Sequence, residues 1–161
     1  MGRHPGRCLH GTRRLIAIDT NILVYAHRRD SEWHEQAAAL IKSLAEGRIE
    51  WAIPWPCIHE FLAIVTHPRI YEPPSTTKQA VAQVDAWLGC HSLVLLTETD
   101  DHWVTLRELV TKGRIQGPVI HDARIATLCL TNGIAELLSA DRDFGRFLTL
   151  AVRNPLPGLV R

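Results

Sequence analysis

Leu15-Ile16-Ala17-Ile18-Asp19-Thr20-Asn21 decides how the rest of the sequence is read. Four apolar residues in succession fit a short strand buried on both faces, as in a parallel sheet. The run stops at a carboxylate, and Thr20 and Asn21 then offer side-chain oxygens to cap a helix beginning in Ile22-Leu23-Val24-Tyr25-Ala26. Asp19 is therefore expected where a central strand hands over to a helix, the edge of an open α/β sheet at which ligands bind. Alone, such an acid is as readily a helix cap as a functional group. Its meaning depends on what the later strands end in.

The same alternation continues downstream. Glu32 to Leu44 is a strong helix former with a stop at Gly47. Trp51-Ala52-Ile53 reads as a second strand ended by Pro54, and Pro56 suits the first turn of a helix through Ile58, Phe61, Leu62 and Val65. After a loop with Pro73 and Pro74, Thr77 to Leu88 is a helix with Ala80, Val81, Val84 and Leu88 on one face. Leu93 to Leu96 is a third strand, and Thr99 or Asp100 caps a helix bearing Trp103, Leu106 and Val110. Val119 to Asn132 is a helix, Ile134 to Leu138 a fourth strand, and a further strand is expected in Leu148 to Val152. This order predicts an α/β fold, a mainly parallel central sheet of four to five strands flanked by helices in three layers.

Length bounds the answer to one domain: 161 residues and 18.1 kDa bury a core without disulfide or metal staples. We assign residues 1–14 to a disordered basic extension and residues 15–161 to a single domain. With 46% hydrophobic and 22% charged residues the composition is that of a soluble globular protein, expected in the cytoplasm. No apolar run approaches the roughly 20 residues of a membrane span, and no signal-peptide core precedes Asp19. Cys8, Cys57, Cys90 and Cys129 are far apart and form no C-x-x-C pair, so neither a zinc knuckle nor a disulfide framework is indicated. The net charge of +1 hides an asymmetry: the extension carries Arg3, Arg7, Arg13 and Arg14 and no acid, leaving a body of net charge −3. Net charge therefore gives no support for nucleic-acid binding.

The acids give more. Asp19 ends the first strand, Glu60 lies early in the helix after the second, and Asp122 near the start of the helix before the fourth. Asp141 and Asp143 follow that fourth strand directly. In a parallel sheet these points share one edge. Packed carboxylates repel one another and are costly to desolvate, so convergence calls for a cation. An all-oxygen ligand set suits Mg²⁺ or Mn²⁺, which polarises a phosphodiester and lowers the pKa of water for in-line attack. Such a hydrolysis gives a 5′-phosphate and a 3′-hydroxyl without a 2′-hydroxyl nucleophile. A phosphoaspartate enzyme or receiver-type switch also places Asp at a strand end. Here, however, Asn21 follows Asp19 by two, and none of Lys42, Lys78 and Lys112 falls at a strand end.

Ile-Asp-Thr-Asn-Ile-Leu-Val-Tyr-Ala (18–26), Pro-Trp-Pro-Cys-Ile-His-Glu-Phe-Leu (54–62), His-Asp-Ala-Arg-Ile-Ala (121–126) and Ser-Ala-Asp-Arg-Asp-Phe (139–144) resemble, in that order, the four motif blocks of PIN-domain proteins. More closely they resemble the VapC-type toxins of bacterial toxin–antitoxin pairs. The resemblance covers about residues 15–152 and implies a PIN-like fold. It also implies a Mg²⁺- or Mn²⁺-dependent endoribonuclease acting on structured RNA such as tRNA or rRNA, a cognate antitoxin partner and a homodimer. Carried over residue by residue, it makes Asp19, Glu60, Asp122 and Asp141 the catalytic, metal-binding acids. Asp143 is an accessory ligand, and Asn21 and Ser139 are supporting polar residues. An RNA-processing nuclease outside a toxin–antitoxin pair, or a silent RNA-binding module, is the alternative; the silent module would be expected to have lost acids.

The remaining polar and aromatic residues have plainer expected roles. His59 and His121 neighbour acids on helices, where adjacent side chains diverge by about 100°, so they are expected to face away. His27 and His34 are read as surface helix residues. Trp33, Trp51, Trp55, Trp87 and Trp103 are read as core or interface aromatics. Arg69 beside Tyr71 is a candidate RNA contact. Arg124 and Arg142, next to the acid blocks, suit either a phosphate contact or a salt bridge.

Overall fold

The computed structural model describes residues 14–156 and 158. Apart from Arg14, the expected basic extension lies outside the described residues. The sheet has five strands, all parallel: β1 (Ile16–Ile18), β2 (Trp51–Pro54), β3 (Leu93–Leu96), β4 (Glu136–Leu138) and β5 (Val152–Arg153). Their spatial order is β3-β2-β1-β4-β5. The chain steps outward from β1 through β2 to β3, then returns to the other side of β1 for β4. The crevice between the carboxyl ends of β1 and β4 is thus the topological switch point, where open α/β sheets bind ligands.

Among the described residues six helices cover the sheet: α1 (Thr20–His27), α2 (His34–Glu46), α3 (Trp55–Val65), α4 (Thr77–Leu88), α5 (His102–Gly113) and α6 (Val119–Thr131). Each strand is too short to bury much by itself, so the core is made where helices close on the sheet. Ala17, Ile18, Trp51, Ala52, Ile53 and Leu137 are fully buried, and Phe61 of α3 meets them from the helical layer. Phe61 stands edge-on to Trp87 of α4, with ring centroids 4.8 Å apart, in the geometry the aromatic quadrupole favours. Among the described residues no helix is long and apolar enough to cross a membrane.

Several local expectations change. α1 begins at Thr20 with Asp19 as its N-cap residue, and neither Thr20 nor Asn21 caps it, because both side chains reach across to other elements. α2 begins at His34, since Ser31 turns the chain by accepting the Trp33 N–H on its hydroxyl. α4 buries Ala80, Val84 and Trp87 and leaves Val81 and Leu88 exposed; Trp87 against Phe61 sets the inward face. Thr76 and Gln79 close a reciprocal capping box at its start. Neither Thr99 nor Asp100 is the N-cap of α5. That position is Asp101, and the entry is turned by backbone, with His102 N–H donating to the Thr99 carbonyl. The last strand is Val152–Arg153 alone, and Leu148 is 92% exposed outside it.

Candidate metal centre

The switch-point crevice is built on one hydroxyl. Ile18 of β1 pairs in register with Leu138 of β4, so Asp19 and Ser139 leave the sheet side by side. The Asp19 N–H donates to the Leu138 carbonyl, which continues the ladder past the strand ends. Ser139 Oγ then donates to Asp19 Oδ2 at 2.6 Å. The same Oγ accepts the Asp141 N–H at 3.0 Å and the Asn21 side-chain amide at 3.4 Å, while Asn21 Oδ1 accepts the Ala140 N–H. Asn21 and Ser139 thereby splice the start of α1 to the loop that carries Asp141.

Asp19 is 4% exposed. Its second oxygen meets Cys57 of α3, whose thiol donates to Oδ1 at 3.7 Å. One turn further along α3, Glu60 receives the Thr20 hydroxyl on Oε2 at 2.8 Å. Cys57 and Glu60 share a helix face because they are three residues apart. Pro54 and Pro56, at the sharp entry into α3, help to point that face at the crevice.

Asp122 lies in the first turn of α6, where the helix dipole favours negative charge. Asp141 N-caps the short 3-10 turn Arg142–Arg146, with Oδ1 accepting the Asp143 N–H at 2.8 Å. One carboxylate oxygen from each of Asp122, Asp141 and Asp143 lies within 4.8 Å of the others. The acids therefore fall into two groups. Asp122, Asp141 and Asp143 form an outer, solvent-facing trio, whereas Asp19 and Glu60 are not part of it. Asp19 is buried and Glu60 half-buried, with oxygens engaged by Ser139, Cys57 and Thr20, and both reach the trio through their charge.

That charge is felt. Burial pushes Asp19 up to about 6, with Glu60 and Asp122 adding repulsion while the Ser139 hydroxyl and the Thr20 amide pull the other way. Asp122 is also raised to about 6, first by burial and then by Asp141, Glu60 and Asp143. Among the described residues no Lys or Arg pairs with Asp19, Glu60, Asp122 or Asp141; Asp143 alone has a cation, Arg146 at 3.7 Å. A convergent all-oxygen set held against its own repulsion is what a hard divalent cation fits.

The neighbouring residues are now placed. His59 is exposed and stacks on Trp55. His121 is exposed, although its charge acts on Asp122 in the stabilising direction. His27 and His34 are not simple surface residues. The His27 ring bonds Ser75 and Gln83 and stands edge-on to Phe61, and the His34 ring bonds the Tyr25 carbonyl. Trp51 and Trp87 are core, and Trp103 is 64% exposed. Tyr71 carries Arg28, not Arg69, over its ring at 4.1 Å. Sequence reasoning misses Thr20 and Cys57 as members of the site. Thr20 reads there as a capping residue; the three-residue spacing of Cys57 to Glu60 is the signal that could have found the thiol.

Known proteins share the family and the fold of this chain. The PIN domain family model matches residues 16–148. The chain is 35% identical over 144 residues to ribonuclease VapC43 of Mycobacterium tuberculosis, covering 89% of this chain and 97% of that protein. Its fold resembles VapBC2 from Rickettsia felis, solved bound to a DNA fragment from its promoter, with TM-score 0.64, 22% identity, and 87% and 98% of the two chains covered. It also resembles VapC20 of Mycobacterium tuberculosis, described as a sarcin-ricin loop cleaving toxin, with TM-score 0.61, 16% identity, and 81% and 92% covered.

Proposed function

Because the chain belongs to the PIN-domain family, and within it to the VapC ribonucleases, we propose that it is a metal-dependent endoribonuclease acting as the toxin of a toxin–antitoxin pair. The observation that carries this reading is the crevice itself: Asp19 and Asp122 sit at the switch point, both pushed up to about 6, with no basic side chain on either among the described residues. A fold alone supports many functions, but a cluster of uncompensated acids in this place has few uses.

Asp122, Asp141 and Asp143 would hold Mg²⁺ or Mn²⁺ from the solvent side, with Asp19 and Glu60 supplying negative charge from below. Such an ion polarises a phosphodiester and lowers the pKa of water. The chain's own residues prepare the place. Ser139 and Cys57 fix both oxygens of Asp19, and Thr20 fixes one oxygen of Glu60 and leaves the other for the site. Asn21 and Ser139 hold the Asp141 loop against α1, so the outer and inner acids keep their spacing without a ligand. Preorganisation of this kind removes reorganisation from the reaction step.

The same reading assigns a homodimer, supported by α5, which buries no residue fully and exposes Trp103 and Val104. It places the protein in the cytoplasm with an antitoxin as partner. An antitoxin Arg would meet Asp122, Asp141 and Asp143, because Asp19 is covered. Purified protein incubated with total RNA and Mn²⁺ tests the reading. Cleavage that EDTA stops, and that leaves 5′-phosphate ends, is expected; absence of cleavage by folded, Mn²⁺-loaded protein overturns it.

A further inference from the structure

Two cations flank the acid blocks, and the structure separates their roles. Arg124 is spent on a salt bridge, with Nη2 3.2 Å from Glu98 Oε1. Arg142 stands between Asp141 and Asp143 in sequence, yet makes no salt bridge among the described residues. Asp143 is taken by Arg146, and Asp141 Oδ1 by the Asp143 N–H. Arg142 lines a cavity of about 300 Å³ together with Ser139, Asp141, Val152 and Asn154. Asn154 Oδ1 accepts the Leu156 N–H, which leaves its amide nitrogen as a second donor at the cavity wall.

An unpaired Arg inside an acidic site has a use there. A polyanionic strand entering the crevice is repelled by the clustered carboxylates, and a cation among them offsets only the phosphate it touches. The next phosphate along needs its own positive partner, and a planar guanidinium matches it with two parallel donors. We propose that this cavity is a nucleotide subsite for the phosphodiester adjoining the scissile one. Arg142 and Asn154 donate to its oxygens, and Val152 lies against the attached nucleoside. The inference rests on the ribonuclease reading and adds where the strand runs.

The probes are labelled RNA oligonucleotides and an RNA dinucleotide, whose single phosphate is the scissile one. The wild type should favour oligonucleotides over the dinucleotide through KM, and Arg142→Gln should lose roughly tenfold of that preference. In an Asp122→Asn background, oligonucleotide binding should show a salt slope shallower by about 0.7 when Arg142 is also replaced. Arg142→Lys should recover part of both effects. Gly145 also lines the cavity, and an added Cβ there meets nothing within 4 Å, so Gly145→Leu should obstruct the cavity and give the same KM loss with the charge kept. Mn²⁺ affinity, titrated directly, should be equal or tighter in Arg142→Gln, because a positive charge has left the acids. Weaker Mn²⁺ binding would make Arg142 part of the acid scaffold and overturn the subsite. So would a wild-type KM and salt slope in Arg142→Gln, whether or not a complex with a partner protein is weakened. If the wild type cleaves no RNA in Mn²⁺ the ribonuclease reading fails, and the salt slope still decides the subsite.

Discussion

Replacing Asp19 with Asn should make the metal-free protein more stable at neutral pH, although it removes a carboxylate of the proposed metal centre. The carboxyl is buried and raised from 3.8 to about 6, so its ionisation at about pH 7.5 works against the fold by about 3 kcal/mol. A carboxylate with a folded pKa above its unfolded one holds its proton more tightly when folded. Its contribution to stability is therefore full below about pH 4 and is lost as pH rises through about 6. At about pH 4.5 the cost shrinks to about 1 kcal/mol. Asn keeps the bond from Ser139 but turns an amide N–H₂ toward Cys57, at a cost of about 1–3 kcal/mol that does not change with pH. The pH-dependent part, about 2 kcal/mol, is free of that uncertainty and corresponds to roughly 4–8 °C in Tm for a chain of this size. Melting both proteins in EDTA at the two pH values reads it directly. If the Tm gain of Asp19→Asn over the wild type is no greater at the higher pH, no buried, uncompensated charge sits at the crevice. Adding Mn²⁺ should then raise the wild-type Tm more than the variant's.

Other outcomes follow from the same geometry. Asp122→Asn should abolish Mn²⁺-dependent RNA cleavage, a loss of several kcal/mol in transition-state stabilisation, while far-UV circular dichroism stays native; cleavage at a near-normal rate would sink the metal-site argument. Ser139→Ala should lower Mn²⁺ affinity as well as stability, since one hydroxyl orders both Asp19 and the Asp141 loop, and calorimetric titration measures it. Trp103→Glu should reduce the mass seen by light scattering from twice 18.1 kDa to that of one chain, with little effect on Tm because Trp103 is 64% exposed. Co-expression with the product of a small neighbouring gene should restore growth to a host that this chain arrests; normal growth with the folded chain alone would remove the toxin assignment.

The first four strands were legible because they lie in short apolar runs, two of them closed by Asp19 and Pro54, and a wholly parallel sheet needs such runs. Strand order was not legible. That β4 returns beside β1, making Asp19 and Ser139 neighbours, depends on long-range pairing that no local pattern carries. Nor was the split of the acids into outer and inner groups. Asp19 and Asp122 stand at matching points in the sequence, but burial separates them, and burial depends on which hydroxyls and thiols converge. Thr20 misled for a definable reason: a Thr after a strand-ending Asp satisfies the capping rule, yet its hydroxyl has a better acceptor in Glu60. His27 misled likewise, since its partners Ser75 and Gln83 lie 48 and 56 residues away.

The brevity of β1 and β4 has a consequence for how such a protein changes over time. Each is three residues long, so the last core side chain and the first chemical group are adjacent in the chain. Ile18 is fully buried and Asp19 nearly so; Leu138 and Ser139 repeat the pattern. A substitution at these points alters packing and chemistry together, which closes most routes of gradual drift there. The segment Thr97–Asp101, which follows β3 at the same rim, is exposed throughout and carries no such double duty. Side chains there can vary while the packing of Asp19 and Ser139 stays as it is.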